Sequence, residues 1–112
     1  MSANVLLKGT LQTIILKLLK DNDQMYGYEI TQRVKEMSDG EILLTEGALY
    51  PALHKLQADG FLKTTVEIVD GRARKYYRLT EHGGKEATDK INEAKTFIDH
   101  LQNLLTLKPA IK

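Results

Sequence analysis

The sequence predicts a mainly α-helical chain that carries one β-hairpin, and three observations lead there. Apolar residues recur at helical spacing as far as Gly60. The period then drops to two over "LKTTVEIV" and "RARKYYRLT", which Asp70-Gly71 joins. Helical spacing returns from Thr80 onward.

The first helix is expected from about residue 4 to about residue 20, where Leu7, Leu11, Ile14, Ile15, Leu18 and Leu19 keep helical spacing until the polar run "KDNDQ". A shorter second helix lies in "MYGYEITQRVKEMSDG", with Ile30, Val34 and Met37 on one face and Ser38-Asp39-Gly40 as its stop. The third, over 45 to 59, sets Leu49, Leu53 and Leu56 at i, i+4 and i+7, between Thr45 as N-cap and Gly60 as terminator. Gly47 and Pro51 sit inside it, although glycine costs about 1 kcal/mol and proline about 3 kcal/mol relative to alanine in a helix interior.

Asp70-Gly71 suits a two-residue hairpin turn, because both central positions need positive φ. Pairing Val69 with Arg72 puts Glu67 opposite Arg74 as an expected charge pair. The same register places Val66, Ile68, Tyr77 and Leu79 on an inward face, with Arg72, Arg74, Tyr76 and Arg78 turned the other way. From Thr80, a second N-cap, a last helix is expected to about Leu107, with Pro109 beyond it. Its residues Ala87, Ile91, Ala94, Ile98, Leu101 and Leu105 form a heptad seam flanked by Phe97 and Leu104, and Gly83 and Gly84 read as weakening the helix start.

Three helices, a hairpin and a terminal helix describe a winged helix-turn-helix over 1–80 followed by a dimerisation helix over 81–112. In that frame Gly47 lets a DNA backbone approach the third helix near its N-terminal end. Pro51 kinks or stiffens the exposed side while the leucines hold the other side to the core.

Composition narrows the function. A chain of 112 residues is one domain with a modest core, so an apolar stripe left without cover points to self-association. The absence of cysteine removes disulfides, thiolate catalysis and cysteine-bound metals, and is compatible with a reducing cytoplasm. Neither a signal peptide nor a membrane helix is expected from "MSANVLLKGTLQTIILKLL", which lacks a basic n-region and is interrupted by lysine. The net charge of +1 does not announce a nucleic-acid ligand, but its distribution does: Lys63, Arg72, Arg74, Lys75 and Arg78 crowd one short segment against only Glu67 and Asp70. His54, His82 and His100 each stand alone, and His82 with Glu86 is the only pair at helical metal-ligand spacing. With no phosphate loop, paired carboxylates or nucleophile motif either, no enzyme, cofactor or metal is expected.

Three stretches carry a resemblance: "YGYEI" at 26 to 30, "EGALYPALHKLQADGFL" at 46 to 62 and "GRARKYYRLTEHG" at 71 to 83. In them the chain resembles the PadR family of bacterial transcriptional regulators, and its short C-terminus is similar to the small subgroup with a single terminal dimerisation helix. The resemblance implies a homodimer that binds a pseudo-palindromic operator in double-stranded DNA, usually represses transcription, and is often released by a small phenolic or drug-like effector. Some small relatives hold flat aromatic drugs at the dimer centre through a tryptophan on the terminal helix. This chain has no tryptophan, and Phe97 is its nearest aromatic stand-in.

The residues expected at DNA are Thr45, Gly47, Tyr50, His54 and Lys55 on the third helix, Lys63, Arg72, Arg74 and Lys75 on the hairpin, and Tyr26 before the second helix. Tyr50 has a competing reading, packing against the second helix. The dimer interface is expected at Leu7, Leu11, Ile91, Ala94, Phe97, Ile98, Leu101 and Leu105, with the first helix packing across the partner's seam. A cavity for an apolar or aromatic effector is expected at Ala87, Ala94 and Phe97. Two alternatives stand beside this reading: a winged helix used as a protein-interaction module, against which the hairpin cations argue, and a repressor with no small-molecule effector.

Overall fold

The computed structural model describes residues 2–106, with side chains from Leu7 onward. Helix α1 spans Ser2–Asp21, and a two-residue strand β1, Met25–Tyr26, leads directly into α2, Gly27–Met37. Helix α3 spans Glu46–Ala58, strands β2 and β3 span Leu62–Val69 and Arg72–Leu79, and α4 spans Glu81–Leu104. The antiparallel sheet runs β1-β3-β2. The expected architecture, mainly α with a β-hairpin wing, is the one observed.

Local chemistry sets these boundaries. The Thr45 hydroxyl accepts from the Ala48 N–H at 3.2 Å and starts α3. Gly60, at φ +85°, ends it while the Phe61 N–H reaches back to the Leu56 carbonyl at 2.9 Å. Asp70 and Gly71 take φ of 53° and 78°, the two left-handed positions of the expected hairpin turn. Strand register is as read from the sequence, with Val69 opposite Arg72 and Glu67 opposite Arg74. The sequence does not predict β1: two residues are too few for a period, and the pairing of Met25 with Tyr77 and Tyr26 with Tyr76 is a tertiary event.

The core collects around Ile15, Leu16, Ile30, Leu49, Leu53 and Leu56. Leu49, Leu53 and Leu56 are the buried face of α3, as their spacing predicts. Helix α1 is buried on more than one side because α3, β3 and α4 all pack against it, so Leu16 joins the core beside Ile15 and Leu19.

Several expectations are corrected. Val66 and Ile68 lie on the same face of the hairpin as Tyr77, but they are 62% and 71% exposed. The wing reaches past the edge of the core, so only the base of that face is inward. Met37 is likewise exposed, at the rim of an apolar groove shared with Ile91 and Ile98. Leu7 and Leu11, expected at the dimer interface, are largely buried by their own chain, at the floor of a groove beside α3. Ala87 is fully buried, so the first turns of α4 belong to the winged-helix core and the division at residue 80 is not a break in packing.

That docking explains Gly83, which the sequence alone presents only as a weakness. A Cβ there would overlap the Phe61 carbonyl oxygen and lie 2.8 Å from its carbon. The close approach lets the Thr80 N–H donate to that carbonyl at 3.0 Å. The Thr80 hydroxyl donates to the Gly60 carbonyl at 2.7 Å and accepts from the Gly83 N–H at 2.9 Å. Beyond Ala87 the cover thins. Ile91 and Ala94 are half-buried, while Phe97, Ile98, Leu101, Leu104 and Leu105 are exposed along the remainder of α4. The helix stops at Leu104, with Thr106 in the left-handed region at φ 55°; Leu107 and Pro109, expected at its end, lie outside the described residues.

Candidate nucleic-acid interface

The N-terminus of α2, the exposed side of α3 and strand β3 meet around an open crevice of about 420 Å³. Its lining brings together Tyr26, Tyr50, His54, Arg74 and Lys75, five of the residues expected at DNA, and adds Gly27 and Tyr28. Each arrives for a local reason. Tyr26 is held by β1 pairing and by its own N–H, which donates to Glu29 Oε1 at 3.3 Å. His54 lies on the exposed side of α3, away from the leucine face.

Tyr50 packs against the start of α2 while also lining the crevice. Its phenol covers Gly27, where a Cβ would lie 2.8 Å from Tyr50 Cζ, so the glycine between two tyrosines in "YGY" makes room for a ring from α3. The signal is present in the sequence as a glycine at a helix start, but its partner is distant in the chain. Tyr50 also acts on Tyr77, whose pKa is raised above 10.0, first by burial and then by the nearby Tyr50 charge.

On the wing, alternation separates the cations. Arg72 and Arg74 share one face of β3, and Lys75, opposite Val66, lies on the other. Arg72 and Lys75 are exposed. The expected Glu67–Arg74 ion pair is not made, although the two are register partners. Glu67 Oε2 instead accepts from Gln24 Nε2 at 2.9 Å, and the Arg74 guanidinium lies over the Tyr26 ring, 4.1 Å from its centroid. Tyr76, expected on the outward face of the hairpin but not among the residues at DNA, meets the same ring edge-on at 5.5 Å. The Arg74 pKa is raised, chiefly by a side-chain hydrogen bond with Tyr76; desolvation opposes the rise, and the charges of Tyr26, Tyr76 and Asp70 add to it.

The other expected residues lie outside the crevice. Thr45 and Gly47 line a separate groove at the start of α3, with Leu7, Leu11, Leu43, Leu44 and Pro51. Gly47 faces open space: a Cβ added there would meet nothing nearer than Thr45 Oγ1 at 4.0 Å. Pro51 is exposed and has no N–H to return to the Gly47 carbonyl. Lys55 pairs with Asp59 at 2.9 Å across one helical turn. Lys63 is exposed on β2 opposite Arg78, which bonds Asp23 at 2.6 Å. Among the described residues no cluster of three or more His, Asp or Glu is placed to hold a metal, and no helix is long and apolar enough to cross a membrane.

A recognition-type helix and a projecting cationic hairpin flanking one crevice is the arrangement of a winged-helix DNA reader. Comparison with known proteins agrees. Residues 15–89 match the Transcriptional regulator PadR-like family. The chain belongs to that family. It is a DNA-binding transcriptional regulator.

The PadR-like chain is 41% identical over 75 residues to the transcriptional regulator Rv3488 of Mycobacterium tuberculosis, covering 67% of this chain and 66% of that one. It is 30% identical over 89 residues to an uncharacterized protein of Lysinibacillus sphaericus, covering 79% and 81%. Among solved structures, a transcriptional regulator from Clostridium thermocellum superposes with a TM-score of 0.79 at 30% identity, over 88% of this chain and 95% of that one. A PadR-like transcriptional regulator from Bacillus cereus gives 0.75 at 27% identity, over 88% and 94%.

Among the described residues, those expected to line an effector cavity fall in different places. Ala87 is core. Ala94 lines an apolar groove of about 390 Å³ with Ile14, Leu18, Val34, Ile91 and Ile98, whereas Phe97 borders a separate open crevice with Asp89, Glu93 and His100.

Proposed function

We propose that this PadR-like regulator is a cytoplasmic homodimeric repressor, with no catalytic role, that binds an inverted-repeat operator. Residues 1–80 with the first turns of α4 carry DNA recognition, and the remainder of 81–112 carries most of the dimerisation. The observation that carries the reading is the apolar stripe of Ile98, Leu101, Leu104 and Leu105, which the chain leaves exposed and which continues into the groove lined by Ile14, Leu18, Ile91 and Ala94. Holding such a row of side chains in water is costly, and a second α4 laid along the stripe removes them from it. Ile14, half-buried at that groove, gives α1 its part in the interface, while Leu7, Leu11 and Leu18 are buried in the chain's own core. Two copies related by a two-fold axis then present two α3 helices to successive major grooves, each with its wing cations on the flanking phosphates.

A small apolar or aromatic effector is part of this reading. Ala94 in its apolar groove and Phe97, repeated across the two-fold, are the residues that would meet it; Ala87 takes no part. Selection from a random duplex library tests the core of the proposal. The expected product is an inverted repeat with half-site centres about 10 base pairs apart or a multiple of that. A single asymmetric half-site would contradict the dimeric reading.

A further inference from the structure

Tyr26 stands at a junction that DNA binding by a winged helix does not by itself require. It is the last residue before α2, one of two residues in β1, and the register partner of Tyr76 on the wing strand. Its ring is the surface on which the Arg74 guanidinium rests, 4.1 Å from the centroid, and Tyr76 closes against it at 78° between ring planes. The carboxylate across the hairpin from Arg74 is turned elsewhere, since Glu67 is engaged by Gln24, immediately before β1. Among the described residues no ion pair neutralises Arg74.

We infer that Tyr26 is a positioning residue: it presents Arg74, stacked and without a carboxylate partner, to the DNA phosphates flanking the crevice. The inference deepens the wing-to-phosphate reading above and rests on it. A stacked guanidinium contacts the ring through its face, and its five N–H groups leave donors for a phosphate beside the one that meets Tyr76. Free in solution, a long arginine side chain samples many rotamers and loses them on binding; laid on Tyr26 it has lost part of that freedom beforehand. The β1–β3 pairing adds a second effect, because it ties the base of the wing to the start of α2. The sequence offers Tyr26 as a direct contact; the geometry gives the ring a role through Arg74, for which the hydroxyl is not needed.

The test measures affinity of the full chain for a fluorescein-labelled random-sequence duplex across a salt series, with Tyr26→Phe, Tyr26→Leu, Arg74→Gln and the Tyr26→Leu/Arg74→Gln double variant. Tyr26→Phe keeps the ring and is expected within about twofold of wild type. Tyr26→Leu is expected to bind about three- to tenfold more weakly, the range that ordering one long side chain represents. Its log K against log salt slope should stay near wild type, because Arg74 still reaches phosphate once bound, whereas Arg74→Gln lowers the slope by about one unit. In the Arg74→Gln background, Tyr26→Leu should add no further loss. Partial misfolding of Tyr26→Leu would cost as much affinity in the Arg74→Gln background as in wild type, and that result overturns the inference. So does Tyr26→Phe as weak as Tyr26→Leu, which would make the hydroxyl a direct contact. If Arg74→Gln alone changes neither affinity nor slope, the phosphate role of Arg74 fails and the inference falls with it. A normal Arg74 effect with a silent Tyr26→Leu overturns the inference alone.

Discussion

Gly83→Ala offers a quantitative check on how α4 is docked. The added Cβ would lie 2.8 Å from the Phe61 carbonyl carbon and 3.1 Å from its Cα, on top of the carbonyl oxygen. Carbon atoms pack best at about 3.5–4.0 Å, so α4 and the start of β2 must part by roughly 1 Å. Overpacking of this kind costs about 1–3 kcal/mol. The shift also stretches the Thr80 N–H to Phe61 and Thr80 hydroxyl to Gly60 hydrogen bonds, 3.0 Å and 2.7 Å long, each worth about 1 kcal/mol. Against this, alanine gains at most about 1 kcal/mol of helix propensity over glycine, less in a first turn. The net expectation is a loss of about 2–3 kcal/mol. Gly84→Ala is the internal control, because nothing lies within 4 Å of its Cβ position and only the propensity gain remains. Urea denaturation at one fixed protein concentration, needed because self-association feeds into apparent stability, reads both variants. A Gly83→Ala protein as stable as Gly84→Ala would refute the close packing of α4 on Phe61.

The remaining predictions address assembly, pH and ligand. Ile98→Asp places a carboxylate in the exposed stripe of α4 and should give monomers by sedimentation at micromolar concentration, whereas wild type sediments as a dimer. Tyr77 has its folded-state pKa raised above 10.0, so it stays protonated where the unfolded chain ionises; its contribution is full below about pH 10 and is lost as pH rises through the folded value. Tyr77→Phe should therefore gain on wild type in urea stability measured from about pH 8 to about pH 11, with the difference opening only above about pH 10. A planar aromatic compound that binds beside Phe97 should weaken operator binding, and Phe97→Ala should remove the effect; a panel with no active member would favour a repressor without an effector.

What is legible in the sequence is whatever local chemistry sets. The Asp70-Gly71 turn determines the hairpin register down to Glu67 opposite Arg74, and Thr45 and Thr80 mark two helix starts because each hydroxyl caps its own first turn. Periodicity finds the leucine face of α3 for the same reason. It says which side of the wing Val66 and Ile68 occupy but not how far the core extends beneath them. It likewise gives Ala87 the same status as Ile98 along one seam, although the core covers the first and leaves the second bare.

In the candidate interface the residue types are legible and their partners are not. A charge rule pairs Glu67 with Arg74 across the hairpin, yet each has a better contact from outside it: Gln24 for the carboxylate, the Tyr26 ring for the guanidinium. Both come from the segment around β1, whose two residues leave no periodic trace. Gly27 and Gly83 carry the same lesson. Each reads locally as a helix-start glycine, and each is small because a distant group, the Tyr50 phenol or the Phe61 carbonyl, occupies the place of its side chain.

The central claim is that this chain holds DNA through phosphate contacts made by the wing while α3 reads the groove. The salt dependence of operator and random-duplex affinity in Arg72→Ala and Lys75→Ala, both exposed cations of β3, tests it most directly. The account predicts a slope lower by about one unit for each lost phosphate contact, with operator and random duplex weakened alike. Unchanged slopes in both variants would take the wing off the DNA and contradict the account.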